Sequence, residues 1–464
     1  MEKFSAVLRL PFPAREAYRW HIRPGAFERL VPPWEDISVG PRPDGIAEGS
    51  RLSFSMKKGP FRLTWEALHR DFVEDRQFVD VMVRGPFGSW VHRHRFEAVG
   101  EGQSELRDEI ELALPSGIPN VLGRPWVKKD LERLFAFRHA RTLDDMTRHQ
   151  RHARSAPGLF AMTGATGFIG RRLWSYLCGA GHTVLPILRS GATKAGDILW
   201  DPESSAIEVE KLEGLRGVIH LAGENIAGRR WRGEVKERIL KSRVQGTRVL
   251  CEAIARLKKP PAVLVSASAI GWYGDGGAAE LDEHSPGGKG FLAEVCDAWE
   301  KATEPARSAG IRVVNLRIGV VLSAKGGALA QMLTPFKLGL GGPIGGGRQF
   351  VSWITLDDLL GVIEETLFNE RLSGPVNAAA PDPVPQGEFA KALGRVLRRP
   401  AFAPLPGIAA RAALGEMADP LLIEGARILP AKLMDAGFPF LHLHLEGALR
   451  AELGLVKYGA PLQH

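Results

Sequence analysis

Leu159-Phe160-Ala161-Met162-Thr163-Gly164-Ala165-Thr166-Gly167-Phe168-Ile169-Gly170 decides how this chain is read. A short apolar run ends in three glycines spaced three apart, and Arg171-Arg172-Leu173-Trp174-Ser175-Tyr176-Leu177 continues as an amphipathic helix. Strand, tight turn and helix are the context a dinucleotide fingerprint requires. Gly164 allows the turn, Gly167 lets the backbone approach a pyrophosphate, and Gly170 lets helix and strand pack closely. Thr166, Phe168 and Ile169 complete the turn, and the helix N-terminus turns unpaired N–H groups toward phosphate oxygens.

Outward from this turn the buried strands recur. Thr183-Val184-Leu185-Pro186-Ile187-Leu188 is the second, and Arg189 follows it where a binder of NAD carries an acid for the ribose hydroxyls. Arginine about 20 residues past the last glycine suits a 2′-phosphate, so NADP is expected over NAD. Gly217-Val218-Ile219-His220-Leu221-Ala222-Gly223 is a third strand, whose small closing residues Ala222 and Gly223 allow a ribose or phosphate to come near. A basic stretch from Arg229 through Arg243 comes next; Arg238 and Arg243 could both reach a cofactor phosphate, and Arg243 lies nearer the buried part of its helix. Ala262 to Asp275 reads as strand plus active-site loop. Gly339 to Trp353 is a glycine-dense loop holding Arg348. Thr355 caps a helix whose first acids, Asp357 and Asp358, are structural.

Before the fingerprint the pattern changes. Ser50–Met56, Phe61–Ala67, Gln77–Val83, Trp90–Phe96 and Glu105–Leu112 alternate apolar and polar, with Gly and Pro between them. Period two over successive short runs predicts an antiparallel meander. Helices over Ala14–Trp20 and from about Trp126 to His149 bracket it. His92 and His94 share one face of a strand; with no cysteine or carboxylate cluster beside them in sequence, they are expected as a structural or pocket-lining pair, and no metal site is expected. Arg151-His152-Ala153-Arg154-Ser155-Ala156-Pro157-Gly158 is a polar linker with a Pro-Gly breaker. The expected domains are therefore 1–150, a linker over 151–158, 159–403, and a small helical segment over 404–464.

Composition bounds the rest. A chain of 464 residues is too long for one ordinary core. With 44% hydrophobic and 25% charged residues it has the composition of a globular protein. No apolar run approaches the roughly 18 residues of a membrane span. Met1-Glu2-Lys3-Phe4-Ser5 opens no secretion signal. Cys178, Cys251 and Cys296 are expected as reduced core residues, which with the missing signal points to a cytoplasmic location. The net charge of +8 is dispersed rather than run together, so nucleic acid is not an expected partner.

Two family resemblances follow from these residues. The phrases Arg29 to Glu35, Gly85-Pro86-Phe87, and Trp90 through Phe96 with Asp108 resemble the START-like, polyketide-cyclase-type (SRPBCC) superfamily, implying an α+β helix-grip domain with an apolar ligand pocket. Thr163 to Gly170, Leu221 to Gly223, Ser266 to Asp275 and Asp282 to Pro286 resemble the extended short-chain dehydrogenase/reductase superfamily. Leu221 to Ile226, Ser242-Arg243-Val244, Leu316 to Leu322, Lys337 to Gly345 and Gln349 to Ile354 narrow this to its atypical epimerase-like family. That resemblance implies an α/β Rossmann-type parallel sheet, NADP contacts at Leu188, Arg189, Leu221, Ala222, Arg243 and Val320, and a small-molecule substrate. Residues after Pro404 resemble the short DUF1731-like domain that accompanies the family.

The chemistry departs from the superfamily pattern. Its reductases exchange a tyrosine proton with the substrate oxygen, hold the cofactor ribose with a lysine four residues on, and orient the substrate with a serine. Ser268 matches the serine, with Ser266 second. Four residues beyond Tyr18, Tyr176, Tyr273 and Tyr458 stand Ile22, Ala180, Gly277 and Leu462, so none has its lysine. Where the pair belongs the chain reads Phe291-Leu292-Ala293-Glu294-Val295-Cys296. Tyr273, Lys289 and Glu294 are the remaining candidates for proton transfer. The alternative is a domain that binds NADP without turning it over.

Overall fold

The computed structural model describes residues 2–40, 46–114, 120–153, 155–191, 194 and 196–456, with side chains in the helix after Asn120 described from Pro125 onward. Arg154 of the linker and Tyr458 lie outside the described residues. Contacts between Cα atoms divide the chain into two units: Met1–Pro157 with Trp174–His182 and Leu453–Gln463, and Gly158–Leu173 with Thr183–Glu452 and His464.

In the first unit the period-two segments pair as expected, with two further strands. The elements are β1 (Glu2–Leu10), α1 (Ala14–Ile22), α2 (Ala26–Arg29), β2 (Asp36–Val39), β3 (Arg51–Lys58), β4 (Phe61–Val73), β5 (Gln77–Arg84), β6 (Ser89–Gly100), β7 (Gln103–Ala113) and α3 (Asn120–Arg151). They form a seven-stranded antiparallel sheet of order β1-β7-β6-β5-β4-β3-β2, curled into a half-barrel. Strict alternation in β7 turns Leu106, Asp108, Ile110 and Leu112 to the concave face. Leu131 and Phe135 of α3 pack there against Ala6, Ile110 and Leu112. Arg29 of α2 donates two hydrogen bonds of 2.7 Å to Asp145 of α3, with both side chains almost fully buried. Arg141 stands 3.8 Å from the same carboxylate, so removing Arg29 would leave a buried Asp145 with a single, longer cationic contact among the described residues.

From Leu159 the elements are β8 (Leu159–Thr163), α4 (Phe168–Gly179, its residues from Trp174 counted with the first unit), β9 (Thr183–Leu188), β10 (Ile198–Asp201), β11 (Ala206–Ile207), β12 (Gly217–His220), α5 (Gly233–Ala255) and β13 (Val263–Ala269). They continue with β14 (Gly277–Leu281), α6 (Phe291–Lys301), α7 (Glu304–Ser308), β15 (Arg312–Ile318), β16 (Val320–Leu322), α8 (Gly327–Lys337), β17 (Phe350–Val351), β18 (Trp353–Thr355), α9 (Leu356–Phe368) and β19 (Gly374–Ala378). The main sheet has the order β11-β10-β9-β8-β12-β13-β15-β19, parallel from β10 to β19. β8, β12, β13 and β15 are buried on both faces, which is why they read as apolar runs without alternation, whereas β10 alternates buried and exposed residues. Strand order reverses between β8 and β12, so the C-terminal ends of these two strands frame the crevice where such sheets bind ligands.

The chain closes with β20 (Val384–Pro385), α10 (Gln386–Leu397), α11 (Gly407–Leu414), β21 (Ala426–Ile428), α12 (Ala431–Asp435) and α13 (Leu445–Glu452). β21 pairs with β14. Thr355 caps α9 by accepting from the Asp358 amide, and the Asp358 carboxylate accepts from the amides of Leu441 and His442. Among the described residues no helix is long and apolar enough to cross a membrane. The three cysteines are buried.

Candidate functional site

The fingerprint glycines meet three separate demands. Gly164 has φ +69°, and a Cβ there would lie 2.9 Å from the Leu221 carbonyl carbon. A Cβ on Gly170 would overlap the Gly164 carbonyl oxygen, so the first turn of α4 rests directly on the loop. Gly167 is exposed, and a Cβ there would stand 3.1 Å from the same oxygen. Thr166 and Phe168 are also exposed at the mouth, and Ile169 is half-buried.

The crevice is held by groups that motif reading passed over. Thr163 Oγ1 accepts from the amides of Leu221 and Ala222 at 3.1 and 3.2 Å, leaving its proton for His220 Nδ1 at 2.8 Å. His220 Nε2 then donates to Thr247 Oγ1 of α5 at 3.0 Å. Complete burial lowers the His220 pKa to about 4, so the ring is neutral and acts as a rigid spacer joining β8, β12 and α5. No spacing rule marks it, because its partners lie 57 and 27 residues away.

Around the crevice stand the remaining expected cofactor residues. Leu188 ends β9 half-buried, and Arg189 is exposed just beyond it. The Arg243 guanidinium lies 4.9 Å over the Trp299 ring and donates to the Ile239 carbonyl oxygen at 3.2 Å. A Cβ on Gly223 would come within 3.3 Å of its Cζ, so the cation sits against the end of β12. Burial lowers the Arg243 pKa, the mark of a partly desolvated cation. Val320 begins β16, its amide donating to the Ser352 carbonyl oxygen at 2.8 Å. The C-terminal edge of the sheet thus offers a backbone cradle without side chains, an exposed arginine beyond β9 and a half-buried one beside β12. That set fits a dinucleotide diphosphate with a further phosphate on its ribose.

The two expected catalytic side chains belong to one hydrogen-bonded array. Ser268 Oγ donates to Glu300 Oε1 at 2.8 Å, and Arg317 spans both Glu300 oxygens at 2.8 and 3.0 Å. Arg317 also donates to the Tyr273 hydroxyl at 3.0 Å, which lies 2.8 Å from both Asn377 Oδ1 and the Asp282 carbonyl oxygen. Tyr273 is 2% exposed, and burial raises its pKa despite Arg317 nearby. Lys289 and Glu294 are exposed. Val295 and Cys296, at the family's lysine position, are buried, with burial pushing the Cys296 thiol up to about 11. Tyr18 and Tyr176 are buried core residues.

Residues 160–364 match the model of the NAD dependent epimerase/dehydratase family, and 405–452 match a domain of unknown function, DUF1731. An epimerase family protein of Mycobacterium bovis is 42% identical over 294 residues, 63% of this chain and 97% of its own length. The chain belongs to this epimerase family. The human family member SDR39U1, solved with NADPH, is 36% identical with a TM-score of 0.60, covering 64% of this chain and 100% of its own. A nucleoside-diphosphate sugar epimerase from Corynebacterium glutamicum is 30% identical with a TM-score of 0.81, covering 98% of this chain and 91% of its own. That likeness extends over the residues before 160, which lie outside the match to the family model.

Ahead of the epimerase-family region, the half-barrel encloses a cavity of about 520 Å³ lined by Trp34, Trp65, Phe87, Trp90 and Leu134 among others. One wall is polar. Asp80 of β5 is the cross-strand partner of His92 in β6 and of His69 in β4, while Asp108 of β7 faces His94. His92 and His139 bond to the two Asp108 oxygens at 3.0 Å each, and His94 Nε2 bonds to Asp80 at 3.1 Å. Burial lowers the His92 pKa to about 4. Burial opposes charge on His94 too, but Asp108 and Asp80 outweigh it and raise that ring to about 9. Sequence spacing showed the histidine pair without its acids, because those arrive by register from neighbouring strands.

Proposed function

We propose that the second unit binds NADP(H) across the β8–β12 crevice, and that the protein is an NADP-dependent reductase or epimerase acting on a small molecule. The observation that carries this is the Gly164–Gly170 turn at the reversal of strand order, with Arg189 and Arg243 as the cations for phosphate. The human relative solved with NADPH supports the choice of NADP. In this reading Gly164, Thr166, Gly167, Phe168, Ile169 and Gly170 cradle the diphosphate. Leu188, Leu221, Ala222, Gly223 and Val320 bound the nucleoside parts, and Arg189 meets the 2′-phosphate. When bound, NADP(H) would carry the hydride; Ser268, turned from Glu300, would orient the substrate oxygen, and Tyr273 on the same hydrogen-bonded array is the candidate phenol for proton transfer. The N-terminal unit is read as a START-like domain (1–150) that captures an apolar ligand, and the cytoplasm as the working compartment.

A second reading has an observation of its own. The Tyr273 hydroxyl meets three partners inside the fold and the Tyr-x-x-x-Lys pair is missing, as suits a protein that binds NADP and a ligand and signals their state without turnover. Disappearance of NADPH absorbance with a carbonyl substrate, or an epimerised product from a sugar nucleotide with the cofactor returned unchanged, supports the first reading; neither product across such substrates supports the second.

The cofactor assignment is tested by fluorescence titration with NADPH and NADH on the wild type and Arg189→Ala. NADPH binds more tightly than NADH, and the preference falls at least tenfold in the variant, about 1.4 kcal/mol for a lost charge-assisted contact. Equal affinity for both nucleotides in the wild type would overturn the 2′-phosphate role, and no binding of either would overturn the site.

A further inference from the structure

With its imidazoles neutral, the polar wall of the N-terminal cavity has more converging lone pairs than protons to meet them. Ser50 Oγ spends its proton on the Ala47 carbonyl oxygen at 2.7 Å. His69 Nδ1 faces that same Oγ at 3.1 Å and the Ser50 carbonyl oxygen at 3.2 Å, both acceptors, so Nδ1 carries the ring's proton. Its Nε2 then turns a lone pair toward Asp80 Oδ1 at 3.3 Å, an oxygen with no hydrogen-bond donor among the described residues. His92 is fixed in the same way. Nε2 donates to Asp108 at 3.0 Å, so the Nδ1 lone pair points to Asp80 Oδ2 at 4.0 Å. A proton on His94 would answer Asp80 Oδ2 and Asp108, and would leave the His69 and His92 lone pairs still facing a carboxylate.

We propose that Asp80, His92 and His94, with His69 beside them, form a binding site for a divalent first-row transition ion of the Zn²⁺ class. One ligand atom from each of Asp80, His92 and His94 lies within 4.8 Å of the others. A tetrahedral site with bonds of ~2.1 Å spaces its ligand atoms by ~3.4 Å, a contraction within reach of small ring rotations. Two imidazoles and one carboxylate favour such an ion over Ca²⁺ or Mg²⁺, which take oxygen ligands. The outer shell is already built: Asp108 lies 3.0 Å from His92 Nε2 and 2.8 Å from His94 Nδ1, and His139 steadies its second oxygen. Carboxylates in that position orient metal-binding imidazoles. All four inner residues line the cavity, so a coordination position opens toward its aromatic walls and would take an oxygen atom of an apolar ligand.

The test uses the untagged full chain, stripped with a chelator and titrated with Co²⁺ under visible absorption, then with Zn²⁺ in competition. One Co²⁺ per chain is expected to give a d–d band that Zn²⁺ abolishes. Affinity should fall at least tenfold in Asp80→Asn and in His92→Gln, with melting temperatures confirming the fold. His69→Gln, at the edge of the set, replaces either variant that fails to fold. Absence of a stoichiometric band in the wild type overturns the site and leaves a proton as the bridging cation. Binding undiminished in the folded variants overturns it as well, by placing the ion on surface histidines.

Discussion

His220 titrates in the direction set by its burial. An imidazole held at about 4 when folded takes up its proton in the unfolded chain first, near the ordinary value of about 6.5. The unfolded state therefore binds more protons between these values, and stability falls as pH drops through that window. Between pH 7 and pH 5 this one ring should cost about 2 kcal/mol. Urea denaturation at the two pH values should show the loss in the wild type and a smaller one in His220→Gln; equal losses would remove His220 as the cause. Nothing in the sequence marks the residue, because an apolar strand ending in histidine is also the pattern of a surface residue at a strand tip. Ser268 was a candidate from a family pattern and Tyr273 from its place in the sequence, but the partners Glu300, Arg317 and Asn377 were not legible, being joined only when three strands and a helix meet.

The turn between β8 and α4 separates two kinds of glycine. At Gly170 a methyl group would meet backbone that cannot move away without unseating the helix, so Gly170→Ala should destabilise the second unit by roughly 2–4 kcal/mol. At Gly167 the nearest atom leaves room for a shift of a few tenths of an ångström. Gly167→Ala should melt within a few degrees of the wild type yet lose most of its NADPH affinity, because its methyl group would intrude on the proposed diphosphate position. Thermal melting beside NADPH titration checks both, and a Gly167→Ala protein that binds normally would move the diphosphate elsewhere. This turn was legible in sequence because local steric demands dictate its residues. β1 was missed although Phe4, Ala6, Leu8 and Leu10 fall on one face, because its partner β7 lies about a hundred residues away with no hairpin turn to announce the pairing. The Asp80–His92 and His94–Asp108 pairings were hidden for the same reason, since register is a property of two strands together.

At the scale of the molecule, the chain carries one crevice lined by backbone and one cavity lined by rings. If the cavity takes an apolar ligand as proposed, a dye such as Nile red should bind with a fluorescence rise; Leu134→Trp, which fills the space from α3, should reduce that rise several-fold. An unchanged rise in the variant would place the dye outside the cavity. Both architectures were readable from periodicity, two for the half-barrel and continuous apolar runs for the parallel sheet, whereas the joining of β14 to β21 was not. That joining has a consequence for how the protein is made. The amides of Gly276 and Gly277 donate to the Gly425 carbonyl oxygen, Ser352 Oγ bridges Ala426 and Ile428, and Asn377, the partner of Tyr273, donates to the Leu429 carbonyl oxygen. A ribosome delivering the chain from its N-terminus finishes the glycine turn early and the Tyr273 corner only once Leu429 has emerged. The nascent protein thus acquires its nucleotide crevice long before the wall beside it, and chains cut short ahead of Gly425 would carry the first without the second.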